Sequence, residues 1–273
     1  MLVLGIDIGG SATKAIGVDE TGGMTEPVKV KNPDPLRAVH GILIKFLKKN
    51  ELSMNNIDRI VVTGIGASQV GDAIDGIPCA HADEFECTGR GGLYLAGKER
   101  AIVISMGTGT AVILAEPNEK YRRVAGTGIG GGTLSGLARL LFSDSSGREI
   151  AEIARKGDAK NVDMRIGDMR RIPNDPDADL TMSNFGKAKD GSRKADLAAA
   201  LVNMALETIS TIGALAANGN HVRNIIVVGG VVQQPQSEKV FKRVGQLYHV
   251  HFIIPENPQY GTAIGAALKG LKL

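Results

Sequence analysis

Two short apolar runs in this chain each end in a glycine turn carrying groups suited to phosphate: Leu2-Val-Leu-Gly-Ile-Asp-Ile-Gly-Gly-Ser-Ala-Thr-Lys14 and Ala101-Ile-Val-Ile-Ser-Met-Gly-Thr-Gly-Thr110. Glycine lets a backbone turn sharply and approach an anion closely, leaving bare amides and small hydroxyls facing the turn. In the first run Asp7 closes the strand, Gly9 and Gly10 make the turn and Lys14 lies on the return strand. A carboxylate able to serve a metal and a cation thus flank one anion pocket, the equipment for handling MgATP. Repetition of the pattern about one hundred residues later predicts a nucleotide gripped from both sides of a cleft.

The Walker pattern is absent, and Gly126-Thr-Gly-Ile-Gly-Gly131 fits G-x-G-x-x-G only by letter. It comes mid-chain after a basic pair, with no acidic residue about twenty positions on to end a second strand, so a dinucleotide site is excluded. The run Gly126 to Gly132 instead opens a helix read from Leu134, Leu137, Leu140 and Leu141. Such a loop is a natural anion cradle, since first-turn amides are expected to be unpaired and the helix dipole is positive there. A third glycine turn, Gly229-Gly230, follows the strand Ile225 to Val228, where it could meet the base or ribose. The segment Asp83-Glu-Phe-Glu86 groups three acids, which charge patterning alone reads as a solvated cluster. If that segment is extended, Glu84 and Glu86 share a face, and spacing does not choose between them.

The elements that must position these groups follow an α/β order. Strands are expected over 2–8 and 13–18, then a helix starting at Asn32-Pro-Asp-Pro35 with Val39, Ile42, Leu43, Phe46 and Leu47 at helical spacing, then a strand over 57–63 ending in Gly64-Ile-Gly66. Strands over 101–105 and 110–115 repeat the opening, Tyr121-Arg-Arg-Val124 leads into the glycine loop, and Pro173 to Asp179 is a polar loop. Residues 194–217 form the longest helix signal, with Leu197, Leu201, Met204, Ala205, Thr208, Ile212 and Leu215 along one stripe. A short alanine-rich helix starts at Pro258 to Gly265. The expected fold is α/β and two-lobed, actin-like (ribonuclease H-like), with duplicated cores and a nucleotide cleft between them. Residues 1–99 would form the N-terminal lobe and 100–273 the C-terminal lobe, with the terminal helix able to pack back on the N-terminal lobe.

At 273 residues the chain can bury a full core. Thirty-six glycines with only ten aromatic residues, interleaved with Val, Ile and Leu, indicate many tight turns rather than a flexible linker. The net charge of +3 is spread along the chain, with its densest group at Arg165, Arg170 and Arg171 reading as a solvated surface, so no nucleic-acid partner is expected. Cys79 and Cys87 match no zinc spacing and cannot build a disulfide framework, which makes a reducing cytosol the default compartment. The N-terminal apolar run stops at Asp7 and reads as a strand, not a signal peptide. No apolar stretch approaches the roughly twenty residues needed to span a bilayer, so no membrane association and a cytoplasmic location are expected.

The motif set resembles the type II pantothenate kinases, of the acetate kinase, sugar kinase, heat-shock and actin superfamily. The resemblance rests on Gly5-Ile-Asp-Ile-Gly-Gly-Ser-Ala-Thr-Lys14, Asp83-Glu-Phe85, Gly107-Thr-Gly-Thr110, Arg122-Arg-Val-Ala-Gly-Thr-Gly-Ile-Gly-Gly-Gly132, Leu180-Thr-Met-Ser-Asn-Phe-Gly186 and Gly261-Thr-Ala-Ile-Gly265. The first and third are superfamily-wide, and the Glu-Phe pair followed by Arg-Arg-Val and the triple glycine points to pantothenate. The resemblance implies ATP-dependent phosphorylation of pantothenate, the first step of coenzyme A biosynthesis, with Mg²⁺, in a homodimer. It implies that Glu84 is the general base for the pantothenate hydroxyl and that Arg123 holds the substrate, while Arg122 is a surface residue. Asp7 would hold Mg²⁺. Residues Asp7, Ile8, Gly9, Gly10, Ser11, Ala12, Thr13 and Lys14 would form the phosphate-side contact, joined by Thr108, by Gly131, Gly132, Thr133, Leu134 and Ser135 of the glycine run, and by Gly230. The chain carries Ser105 where relatives often have Asn, Ala111 where they often have Ser, and Gly229-Gly-Val where a bacterial relative has Gly-Ser-Ser.

Two other kinds of activity start from nearly the same opening residues. An acetylamino-sugar kinase would often add a cysteine-rich zinc loop, which two isolated cysteines cannot supply. An ATP-hydrolysing dehydratase activator would need thiolates for an iron-sulfur cluster at a dimer interface. A nucleotide-gated interaction module of the actin or chaperone type would not need Glu84 and Arg123.

Overall fold

The computed structural model describes residues 1–31, 34–116, 118, 120–142, 147–170, 172–175 and 177–272, with only the backbone described at 147 and 148. Strands β1 (Leu2–Ile8), β2 (Thr13–Asp19) and β3 (Val28–Val30) form an antiparallel meander. Helix α1 (Pro35–Asn50) then returns the chain to β4 (Arg59–Thr63), parallel to β1, and β5 (Ala73–Ile74) and β6 (Ile77–His81) complete a sheet of order β3-β2-β1-β4-β6-β5. Asp34 caps α1 by accepting from the Arg37 amide at 3.0 Å; Asn32 and Pro33 of the expected helix start lie outside the described residues.

The second half repeats this order. After α2 (Glu84–Ala96) come β7 (Ala101–Met106), β8 (Thr110–Glu116) and β9 (Lys120–Thr127), then α3 (Gly131–Phe142), α4 (Gly147–Ala154), a small excursion of β10 (Met164–Arg165), α5 (Ile166–Met169) and β11 (Thr181–Ser183), and the long α6 (Lys194–Gly219). Strand β12 (Asn224–Val228), α7 (Ser237–Tyr248), β13 (His251–Ile253) and α8 (Gly261–Gly270) finish the chain. The second sheet has order β13-β12-β7-β8-β9, with β12 parallel to β7 and β13 parallel to β12. Each sheet is therefore a three-stranded meander extended on its other side by two parallel strands, with the short antiparallel β5 added at the edge of the first, the duplicated actin-like core.

Strand β1 reads as a continuous apolar run because both its faces are covered. Leu4, Ile6 and Ile8 face α1 residues such as Val39, Ile42 and Phe46, while Val3 faces α8 residues such as Ala266 and Ala267. Helix α8 packs on β1 and β4 of the first sheet, whereas Leu93 and Ala96 of α2 pack on Ala101, Val103 and Ala115 of the second. These two helices cross at bare backbone: a Cβ on Gly91 would meet the Gly261 carbonyl, and one on Gly265 the Cys87 carbonyl. Only glycine permits so close a crossing.

Two expectations change, and the reading of the 197–215 stripe as mostly core holds. Residues 120–127 form a full third strand rather than a lead-in to the loop. The strand lies at a sheet edge, with Arg122 and Arg123 exposed and a bulge at Val124, so its residues lack the apolar alternation of a half-buried strand. Residues 84–96 are helical, not extended, because the Asp83 carboxylate accepts from the Glu86 amide at 2.8 Å and starts the helix. The stripe from Leu197 to Leu215 is largely internal: Leu201 and Ala205 are buried, and only Leu215 is exposed. Helix α6 is long and apolar enough to cross a membrane, yet it packs against the second sheet, α4 and α7 as a core helix. The basic group at 165–171 is neutralised in part, Arg165 by Asp179 at 2.6 Å and Arg170 by Asp175 at 2.9 Å, while Arg171 lies outside the described residues.

Candidate active site

The two glycine turns meet. Ser11 Oγ lies 2.8 Å from Thr108 Oγ1, joining the tip of β1-β2 to the tip of β7-β8 across the cleft. A Cβ on Gly10 would sit 3.5 Å from the same Thr108 oxygen. At the root of the first turn, Asp7 and Lys14 are direct cross-strand partners, and Lys14 Nζ donates to Asp7 Oδ2 at 3.3 Å. Asp7 is 7% exposed, and the bare Gly64 after β4 is what admits its carboxylate: with φ of 91°, a Cβ there would fall 2.9 Å from Asp7 Oδ1. Ile8, Ala12 and Thr13 are buried, so of this segment the side chains of Ser11 and Lys14 and the backbone amides are what a ligand can reach.

The glycine run docks onto the second turn. The amides of Gly131 and Gly132 donate to the Gly107 and Thr108 carbonyls at 2.8 and 2.9 Å, which departs from the expectation that the first-turn amides of α3 are unpaired. The run is glycine-rich because two backbones touch here: a Cβ on Gly130 would lie 2.6 Å from the Thr108 carbonyl oxygen. Thr133 Oγ1 closes the loop onto the Gly128 carbonyl at 2.8 Å, Leu134 is buried in the core, and Ser135 is half-buried on the next turn. The third turn adjoins them, since a Cβ on Gly131 would stand 3.3 Å from Val231 Cγ2. Gly229, at φ of 101°, packs on the Met106 backbone and donates to the Pro258 carbonyl at 2.8 Å, while Gly230 faces open space. Four glycine segments from both halves of the chain thus converge on one opening.

Glu84 is the first residue of α2, exposed to the cleft. Its pKa is raised, first by the protein around it and then by the charges of Asp7 and Asp83, with Lys14 acting in the opposite sense. Glu84 therefore stands within electrostatic reach of the Asp7-Lys14 pair. Helical geometry turns Glu86 about 200° away from it. Glu86 Oε1 accepts from Arg90 at 2.8 Å and from Lys269 of α8 at 2.9 Å. Burial acts to raise the Glu86 pKa, but these two cations outweigh it and hold it below the usual carboxylate value. Glu86 is a helix-to-helix tie. The Asp83-x-x-Glu86 spacing is an N-terminal helix signature, and it was the signal that separates the two acids.

Arg123 on β9 lies over the Phe85 ring, its guanidinium carbon 5.7 Å from the centroid, and no carboxylate among the described residues pairs with it. Arg122 points the other way, to Asn220 Oδ1 at 3.4 Å. Phe85 and Gly64 shape the site without having been singled out as site residues by sequence pattern. The described residues contain no cluster of three or more potential metal ligands. A separate open cavity of about 640 Å³ between α7 and β13, lined by Phe241, Phe252, Lys242 and His249, contains none of the glycine turns or α2.

The Fumble family profile matches residues 100–248, more than half of the chain. The type II pantothenate kinase of Oceanobacillus iheyensis is 30% identical over 275 residues, covering 97% of this chain and 98% of the relative. That of Bacillus cereus strain G9842 is 28% identical, with 98% of each covered. Among solved structures, the activator of the 2-hydroxyisocaproyl-CoA dehydratase from Clostridium difficile with bound ADPNP superposes with a TM-score of 0.71 at 20% identity, over 100% of this chain and 95% of that one. A ROK family glucokinase from Streptomyces griseus in complex with glucose and AMPPNP gives 0.64 at 15% identity, over 98% and 99%. At such identities the superpositions establish the actin-like fold and no more. Relatedness along almost the entire sequence makes this chain a member of the type II pantothenate kinase family.

Proposed function

We propose that this kinase transfers the γ-phosphoryl group of ATP to the primary hydroxyl of pantothenate, giving 4'-phosphopantothenate and ADP, as an early step of coenzyme A synthesis in the cytoplasm. The observation that carries this reading is the constellation at the cleft: a carboxylate of raised pKa, Glu84, in electrostatic reach of the Asp7-Lys14 pair and next in sequence to the residue under Arg123. Glu84 takes the hydroxyl proton as the oxygen attacks phosphorus. The new O–P bond forms while the bond from γ-phosphorus to the β,γ-bridging oxygen breaks, and ADP leaves with that electron pair. Lys14 and the amides of Gly9, Gly10 and Ser11 carry the phosphate charge, and Arg123 holds the acceptor through its planar donor fork. The third turn at Gly230 borders the nucleoside.

The buried carboxylate of Asp7, with no cluster of three or more potential metal ligands among the described residues, fits Mg²⁺, which binds through one or two carboxylates together with substrate phosphates and water. Asp7 would hold that ion, directly or through water, and the ion would supply charge neutralisation at the phosphates. The structural likeness to a dehydratase activator supports a second reading, ATP hydrolysis coupled to an iron-sulfur cluster. Against it, burial pushes the thiols of Cys79 and Cys87 up to about 11 and about 12, conditions that disfavour thiolate ligands. A coupled ADP-release assay over pantothenate, acetylamino sugars, glycerol and acetate, with an acceptor-free control, tests the proposal. ADP release dependent on pantothenate supports it, and acceptor-independent or sugar-dependent release overturns it.

A further inference from the structure

We infer that Phe85 is a positioning residue that fixes the Arg123 guanidinium for the acceptor, an inference that rests on the function proposed above. Helix α2 and strand β9 interlock at two adjacent points. Phe85 and Gly89, four residues apart, share a face of α2, and Tyr121 and Arg123, two apart, share a face of β9. At the deeper point the Tyr121 ring occupies the space a Gly89 side chain would need, and Arg90, tied to Glu86, lies 5.6 Å from the same ring. At the outer point Arg123 lies over Phe85 at 5.7 Å. The bulge at Val124 comes immediately afterwards, so the strand leaves this face as soon as Arg123 has been presented.

The guanidinium has few other restraints. Its Nε donates to the Ala125 carbonyl at a long 3.4 Å, and no carboxylate among the described residues holds it. On the remaining side the backbone is bare, and a Cβ on Gly126 would fall 2.5 Å from one guanidinium nitrogen. The aromatic face and the bare glycine thus leave the arginine one slot. An unpaired arginine side chain carries large rotamer freedom, and a π face that holds it removes part of that cost before the acceptor arrives. Because Phe85 follows Glu84 on the same rigid helix turn, one element sets both the base and the arginine.

The test is steady-state kinetics of Phe85→Leu, with Phe85→Met in reserve should the leucine variant fold poorly. A cation–π contact spans roughly 2- to 30-fold in affinity between exposed and desolvated settings. The pantothenate KM is expected to rise within that range while the ATP KM stays within about twofold, since Phe85 acts on the acceptor side. Phe85→Tyr, which keeps the face, recovers most of the loss. In an Arg123→Ala background the leucine substitution adds nothing further. An unchanged pantothenate KM, or the same loss in both backgrounds, overturns the inference. Arginine Nε–Hε NMR of the intact protein provides a substrate-free reading: ring current displaces the Arg123 Hε resonance upfield, and Phe85→Leu returns it. An undisplaced resonance in the parent also overturns the inference. If the parent does not phosphorylate pantothenate, the proposed function falls while the NMR measurement still decides the role of Phe85.

Discussion

Replacing Glu84 and Glu86 one at a time by glutamine separates chemistry from architecture, because the structure assigns these neighbours opposite environments. The amide in Glu84→Gln cannot accept the hydroxyl proton. Loss of a general base costs about 10² to 10⁴ in rate, or about 2.7 to 5.5 kcal/mol of activation free energy, so kcat should fall by that factor with the ATP KM little changed. The fold should not suffer. A carboxyl whose folded-state pKa is raised contributes stability that is present below the unfolded value and lost as pH rises through the folded one. Above its folded-state pKa the ionised Glu84 is therefore a burden on the fold, and there Glu84→Gln should melt at or above the parent temperature. Glu86 is the mirror case. Its pKa is lowered, so it contributes stability above the unfolded value that is lost as pH falls through the folded one. Glu86→Gln weakens charge-assisted bonds to Arg90, which is 7% exposed, and to Lys269. That should cost about 1–3 kcal/mol of stability, and kcat measured well below the melting range should stay within a few fold. The assay is coupled ADP release at saturating pantothenate and ATP, alongside a thermal melt of each variant. A folded Glu86→Gln protein losing about 10² in kcat while Glu84→Gln keeps its rate would refute the assignment.

The acid limb of the kcat/KM profile against pH should lie above the ordinary glutamate value of 4.5, with activity lost as pH falls through the raised Glu84 pKa; a limb below 4.5 contradicts the burial and charge reading. Lys14→Ala should raise the ATP KM and lower kcat together, since a phosphate cation acts in ground and transition states, and steady-state kinetics at varied ATP checks both. Gly229→Ala must adopt a φ of 101° and place its Cβ 2.5 Å from the Met106 carbonyl oxygen, so a denaturant titration should show a loss of more than about 2 kcal/mol. A homodimer, implied by the family resemblance and not by the internal α6 stripe, predicts a light-scattering mass twice 28.6 kDa at micromolar protein concentration; a monomer mass refutes it.

The duplicated α/β core was legible in the sequence because its central strands are continuous β-branched runs closed by glycine turns, and those signals are local. That Asp7 and Lys14 lie on the two strands of one hairpin was equally legible, but their direct pairing was not, because a turn of Gly9 and Gly10 alone would set Asp7 opposite Ala12, and it is the longer connection from Gly9 to Ala12 that sets it opposite Lys14. The choice of Glu84 over Glu86 was half legible: Asp83 with Glu86 three residues on is a helix start, and a helix sends the two acids in different directions, but Lys269, which holds Glu86, lies nearly two hundred residues away. Strand β9 stayed hidden because an edge strand with exposed arginines and a bulge has neither side-chain alternation nor a buried face. What the sequence by itself determined was the place of the glycine turns at the ends of their strands, since backbone freedom at glycine and strand propensity act within a few residues. Only the tertiary structure decided that Ser11 meets Thr108, that the α3 amides are taken by the second turn, and that Phe85 lies beneath Arg123. Those contacts join segments from about 24 to 97 residues apart in the chain, a packing that no local pattern encodes.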